Sequence, residues 1–211
     1  WSKTNYPDEN NMCSWALRCL LIEFDEKKII FDTGIGNKQS ERFFKYYYLH
    51  GENSLMNSLK KIKVSPDEIT HVFFTHLHFD HCGGAIIKKN KSLELMFKNA
   101  VHLTNKVHWE LANNPNQREK ASFLKENFSL IHEKKQIKFI SEGLIFNKID
   151  VRFFHGHTAS QMIPIINYKN KKIVFTADLL PSIGHIPIPY VMGYDTQPLL
   201  TLKEKESFFN E

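Results

Sequence analysis

The segment Thr75-His76-Leu77-His78-Phe79-Asp80-His81-Cys82-Gly83-Gly84 packs three imidazoles and one carboxylate into six positions. Imidazole nitrogen and carboxylate oxygen are the ligands of borderline divalent metals such as Zn²⁺. The segment follows the apolar run Thr70 to Thr75, which reads as a buried strand. Four such groups at the end of a buried strand would repel one another without a cation between them. His76 and His78 are two residues apart and can bite one ion from an extended or sharply turned backbone. Asp80 and His81, one turn further, point elsewhere and can hold a second. The glycine pair lets the backbone come close and a helix begin. Two later features share this setting. His155-Gly156-His157-Thr158 follows the apolar run Val151 to Phe154, and Asp178 follows Ile173 to Thr176. Each puts a ligand-type residue at a strand end, and together they supply the distant ligands a dinuclear site needs.

Composition agrees. The chain of 211 residues has 11 His against 9 Gly and 3 Cys, which favours a metal site of imidazoles and carboxylates. Its length fits one domain, expected to bury roughly 70% of the surface its unfolded form exposes. Hydrophobic residues at 42% and charged residues at 24% exclude disordered, collagen-like and low-complexity architectures. No run approaches the ~18–20 apolar residues of a membrane helix, so no membrane partner is expected. So few cysteines imply reduced thiols and a cytoplasmic setting. The net charge of +5 favours anionic partners without naming one. Trp1-Ser2-Lys3-Thr4-Asn5 has no start Met and no signal-like pattern, and Leu202 to Phe209 reads as a helix without a stop. We therefore expect a piece of a longer chain, truncated at both ends.

The elements that must position these residues are mostly strands. Ala16 to Phe24, a turn at Asp25-Glu26-Lys27-Lys28, and Ile29-Ile30-Phe31 read as a hairpin running into Asp32-Thr33-Gly34. Ser54 to Lys61 has helical spacing of Leu55, Leu59 and Ile62. Ser65-Pro66-Asp67-Glu68 is a capping box with proline at the first helical position. Ala100 to Leu103 and Ile137 to Ile140 read as strands, and Lys106 to Ala112 and Gln117 to Phe128 as helices. Met162 to Ile166 and Ile173 to Thr176 form a hairpin around Tyr168-Lys169-Asn170-Lys171. Pro181, Pro187, Pro189 and Pro198 make the stretch after Asp178 a long irregular loop, the kind that is usually functional. Sheets covered by helices, an α+β arrangement, follow from strands outnumbering helices while helices occur in both halves. One domain over 1–211 is expected, with halves of about 1–95 and 96–211.

His-x-His-x-Asp-His at 76 to 81, with Asp32-Thr33-Gly34 before it and Gly156-His157-Thr158 and Asp178 after it, resembles the metallo-β-lactamase-fold superfamily of metallo-hydrolases. The resemblance covers nearly the whole chain. It implies a four-layer αβ/βα sandwich with two divalent metal ions, Zn²⁺, at one edge. His76, His78 and His157 would hold the first ion, Asp80 and His81 the second, and Asp178 would bridge. Asp32 would accept a hydrogen bond from a ligand imidazole. The family's last His ligand has no counterpart at a matching distance. His185 comes only seven positions after Asp178, so that ligand is expected beyond residue 211.

Within the superfamily, Leu77 to Gly84 is similar to the N-acyl homoserine lactone lactonases, and the loop from Asp178 to Asp195 resembles the methyl-parathion-hydrolase branch. The implied activity is hydrolysis of an ester, a lactone such as an acyl homoserine lactone, by a hydroxide shared between the metals, with Asp80 passing a proton to the leaving group. The lactonases carry a Tyr three residues after the bridging Asp, where this chain has Pro181. Gly-His-Thr-x-Gly is altered to Gly156-His157-Thr158-Ala159-Ser160. Tyr190 or Tyr194 could replace the missing Tyr, though loop packing is the plainer reading of both. Phe79, Ile183, Ile186, Ile188 and Met192 suit an apolar acyl or aryl group, and His185 is a pocket candidate. A phosphotriesterase or phosphodiesterase, including a nuclease, remains an alternative, but the basic residues are scattered and no nucleic-acid partner is expected. A truncated non-catalytic metal-binding relative is the other. His50, His71, His102, His108 and His132 read as surface or satisfied core groups, and Cys82 as a small packing residue. The apolar stretch Met12 to Leu21 is a candidate homodimer surface.

Overall fold

Asp25 and Glu26 both take positive φ, 46° and 59°, as the tightest hairpin turns require. They join β1 (Leu20–Phe24) to β2 (Lys27–Phe31), which pair antiparallel. The computed structural model describes residues 3–52 and 54–211. Trp1 and Ser2, part of the N-terminal stretch read above, lie outside the described residues. The chain is mixed α and β and divides into two compact units. One is Leu17–Ile140, and the other is Ser141–Glu211 with the N-terminal residues up to Ala16.

In the unit Leu17–Ile140, β2 leads through α1 (Glu41–Lys45) and α2 (Leu55–Lys61) to β3 (His71–Phe73). Ser54 caps α2 by accepting from the Asn57 amide at 3.1 Å. The capping box at Ser65 and Glu68 forms on both sides, closing a single 3-10 turn into β3. Then come α3 (Phe79–Cys82), β4 (Ile86–Lys89), β5 (Ser92–Leu95), β6 (Val101–Thr104), α4 (Lys106–Asn113), α5 (Ser129–Glu133) and β7 (Ile137–Phe139). The main sheet runs β1-β2-β3-β6-β7, and β2, β3, β6 and β7 are parallel. Ile30, Phe31, Val72, Phe73 and Leu103 are all buried, as parallel strands covered on both faces require. Phe31 pairs with Phe73, so the chain leaves β2 at Asp32 and β3 at Phe74 on one edge. That is the carboxyl edge, where open parallel sheets place their ligand sites.

One expectation changes here. Gln117 to Phe128 is not one helix: it holds turns and a 3-10 turn at Lys125–Asn127 before α5. Glu119 and Asn127 are buried. Asn116 caps the Arg118 and Glu119 amides, and Gln39 binds Asn127 at 2.7 Å. Polar side chains bound this way compete with helix formation. The β4–β5 hairpin, turning on Asn90 and Lys91 at positive φ, has no counterpart in the sequence reading. β6 and β7 complete the first sheet, and the unit that holds it ends at Ile140.

The other unit holds an antiparallel sheet of order β11-β10-β9-β8, from β8 (Gly143–Ile145), β9 (Ile149–Phe154), β10 (Gln161–Tyr168) and β11 (Lys171–Val174). Tyr168 pairs with Lys171 across the expected turn. The proline-rich stretch after Asp178 is irregular apart from 3-10 turns at Ala177–Leu179 and Ile183–His185. It ends at α6 (Pro198–Asn210), which starts with proline in its first turn. No helix among the described residues is long and apolar enough to cross a membrane.

Candidate metal centre

The loop after β3 gathers its imidazoles. The His76 ring lies 4.5 Å from that of His78 and 4.0 Å from that of His81, centroid to centroid. His76 and His78 are buried and His81 half-buried. Asp32 takes a left-handed φ of 56° and turns its carboxylate inward. Its oxygens accept from the Thr75 amide and hydroxyl, both at 2.8 Å, and lie 2.7 Å from His81 Nδ1. We assign the His81 proton to Nδ1, donating to Asp32, which makes Nε2 the lone-pair nitrogen. Burial pushes the Asp32 carboxyl up, and the bonds from His81 and Thr75 pull it back. Asp80, partly exposed, stands 3.7 Å from His81 Nε2.

The backbone of this loop is fixed by its neighbours. The Leu77 amide donates to His108 Nε2 at 2.8 Å. The Thr33 amide donates to the His81 carbonyl at 2.6 Å, and that of Gly84 to Gly34 at 3.0 Å. A Cβ on Gly84 would collide with the Thr33 carbonyl, so only glycine permits this approach. The buried Lys38 ammonium donates to the carbonyls of Gly83 and Ile86, and burial lowers its pKa to about 8. Glu119 stands 3.7 Å from His78 Nε2 and accepts from Asn116 at 2.5 Å. Cys82 is wholly buried, its thiol pushed up to about 12 by burial, so it packs in the core. The Phe79 ring packs 5.3 Å from Phe43 and 5.0 Å from Tyr47.

In the other unit, His157 is buried between two carboxylates. Nδ1 is 3.0 Å from Asp195 and Nε2 is 3.3 Å from Asp178. With Nδ1–H of His157 donating to Asp195, Nε2 and the Asp178 carboxylate form an adjacent pair of metal-ligand atoms. Gly156 lies against α6: a Cβ there would stand 2.5 Å from the Thr201 nitrogen. The Asp178 amide donates to Gln161 Oε1 at 3.2 Å. Ser160 and Ala177 take left-handed φ of 59° and 40°. His185 is buried beside Ser182 Oγ at 2.9 Å and Trp15, and burial lowers its pKa. His155 is exposed and its Nδ1 accepts from the Ser160 amide. Tyr190 is exposed and Tyr194 is 81% exposed.

Each unit thus assembles its own part of the predicted set: His76, His78, Asp80, His81 and Asp32 in one, His157 and Asp178 in the other. The donors fit a divalent metal. Imidazoles this close disfavour one another's protonation, which keeps them in the neutral form a metal binds, and imidazole nitrogen is of the type Zn²⁺ takes. Sequence reasoning missed Asp195, Glu119, Lys38, Glu204 and Lys205. None stands in a motif, and Glu204 and Lys205 lie in what reads as an ordinary charged helix.

Residues 18–208 match the family model described as the metallo-beta-lactamase superfamily. A 76-residue stretch is 33% identical to an N-acyl homoserine lactonase of Bacillus thuringiensis, taking in 31% of this chain and 30% of that protein's length. A probable metal-dependent hydrolase from Staphylococcus aureus superposes with TM-score 0.88 at 26% identity, over 98% of this chain and 73% of the other. A dizinc quorum-quenching lactonase solved with a product superposes with TM-score 0.73 at 23% identity, over 91% and 67%.

Proposed function

The chain belongs to the metallo-beta-lactamase superfamily, and on that footing we propose that it is a metal-dependent hydrolase of small esters, acting on a lactone of the acyl homoserine type. The observation that carries this reading is the buried cluster of His76, His78 and His81, with Asp32 holding His81 in the tautomer a metal ligand needs. The lactone is supported by the likeness to a lactonase across about a third of the chain. In this proposal the two compact units form one domain over 1–211. His76, His78 and His157 would hold one zinc ion and Asp80 and His81 a second, with Asp178 as a further ligand. Divalent ions held there would polarise the substrate carbonyl and lower the pKa of a bound water to about 7.

The chain's own residues do the rest. Asp32 and Asp195 each accept a hydrogen bond from Nδ1–H of a ligand imidazole and fix its ring. His108 fixes the loop between His76 and His78 through the Leu77 amide. Asp80, with its side chain 32% exposed, can hand a proton to the departing alkoxide. Phe79, backed by Phe43 and Tyr47, offers an aromatic face to the acyl group. Pro181 stands where the lactonases have a tyrosine, so Tyr190 and Tyr194 are the proposed replacements. The three free cysteines suit a cytoplasmic setting. Exposed Met12, Trp15 and Leu17 suit a homodimer contact.

The test sets N-hexanoyl homoserine lactone, an aryl phosphotriester and a bis-aryl phosphodiester side by side, with and without chelator. We expect chelator-sensitive turnover of the lactone, lost together with bound metal in His78→Ala and Asp80→Ala. Preference for either phosphoester would replace the lactone assignment, and turnover by metal-free protein would end the metal reading.

A further inference from the structure

Helix α6 carries Thr201, Glu204 and Lys205 at positions i, i+3 and i+4, on one face. That face is occupied in an unusual way. The Glu204 carboxylate accepts the amides of His155 at 2.6 Å and Gly156 at 2.9 Å. Thr201 lies so close to Gly156 that no side chain fits there. The helix entrance adds the Gln197 amide on the Gly156 carbonyl, at 2.8 Å. The turn that carries His157 is therefore gripped from both sides by α6.

One residue on, Lys205 is wholly buried. Its ammonium donates to the carbonyls of Pro187 at 2.8 Å, Ile188 at 3.2 Å and Tyr190 at 2.9 Å. An ammonium has three protons and all three are used. Two of the four residues from 187 to 190 are prolines, which offer no amide; the Pro187 carbonyl also accepts the Tyr190 amide at 3.2 Å, so the ammonium caps a tight turn. Above this buried cation the loop turns Ile183, Ile186 and Tyr190 outward, 68%, 48% and 46% exposed. Apolar side chains exposed on and beside a backbone held at Pro187, Ile188 and Tyr190 suit a binding surface, since the ordering cost is met before the ligand arrives.

We infer that Lys205 is a positioning residue that fixes the Pro187–Tyr190 loop as the acyl-chain contact of the substrate, and that α6, through Glu204, ties this loop to the His157 turn. The substrate part rests on the lactonase reading; the clamp does not.

Two measurements separate them. On the unmodified chain, amine acetylation followed by peptide mass spectrometry reads Lys205 against exposed Lys203. We expect Lys203 to be modified fully while Lys205 reacts at least tenfold more slowly; equal labelling overturns the clamp. Hydrogen exchange on Lys205→Met is then expected to show at least tenfold faster exchange at the few amides of residues 186–192, with β9 and β10 unchanged. Unchanged loop exchange likewise overturns it. If Lys205→Met does not fold, the labelling result decides. For substrate contact, Lys205→Met is expected to raise KM for N-hexanoyl homoserine lactone about tenfold. The KM for unsubstituted γ-butyrolactone and the zinc content should stay within about threefold. An equal rise for both lactones, with a protected Lys205, overturns the acyl contact alone. Absence of any lactone turnover in the unmodified chain refutes the proposed function and with it the acyl contact, and leaves the clamp to the first two measurements.

Discussion

Asp32 shows how much one side chain does here. It leaves β2 with left-handed φ, accepts two bonds from Thr75, and accepts a third from the Nδ1–H of His81. Asp32→Asn would present an amide donor or a weaker acceptor to His81 and lose the fixed tautomer. Such a change typically costs about 10–100-fold in metal affinity, and a zinc competition titration reads it directly. Ala177 makes the opposite case. Its φ of 40° costs roughly 1–2 kcal/mol for a residue with a Cβ, against roughly 0.5–1 kcal/mol for the extra unfolded freedom of glycine. Ala177→Gly should therefore gain about 0.5–1 kcal/mol in urea unfolding; a loss of stability would show that the strain is not there. The proposed ligand residues of the 76–81 segment stand out in the sequence because their spacing alone exposes them. Asp195, Glu204 and Lys205 were not, because each acts on a segment distant in the chain that only the tertiary fold brings near.

At the level of elements, the hydrogen-bonded caps were visible from sequence because they are local. Ser65 and Glu68 close their box as read, and Ser65→Ala should cost about 1 kcal/mol in chemical denaturation with no change in metal content. The segment 117–128 was misread because its apolar spacing looks helical, while Asn116, Glu119 and Asn127 spend their side chains on other partners. The β4–β5 hairpin escaped notice since Lys88, Lys89 and Lys91 mask the alternation around Ile86 and Ile87. Strand identity in the main sheet was legible from its continuous apolar runs. Its parallel order, which sets Asp32 beside the 75–76 turn, was not.

Across the whole molecule, buried basic groups set the acid response. His102 is wholly buried on β6, and burial lowers its pKa from 6.5 to about 4. The unfolded chain therefore takes up a proton from pH 6.5 downward that the folded chain refuses until about pH 4. Stability from this residue is intact above pH 6.5 and falls as pH drops through that window, by on the order of 3 kcal/mol. His102→Gln should flatten the stability profile between those values; an unchanged slope would assign the acid loss elsewhere.

The account stands or falls on whether His157 shares metal with the 76–81 loop. Zinc stoichiometry and affinity measured on the purified chain and on His157→Ala decide it. We predict up to two zinc ions on the unmodified chain and, in the variant, loss of at least one with folding intact by circular dichroism. A folded His157→Ala chain that binds zinc with unchanged number and affinity would contradict it.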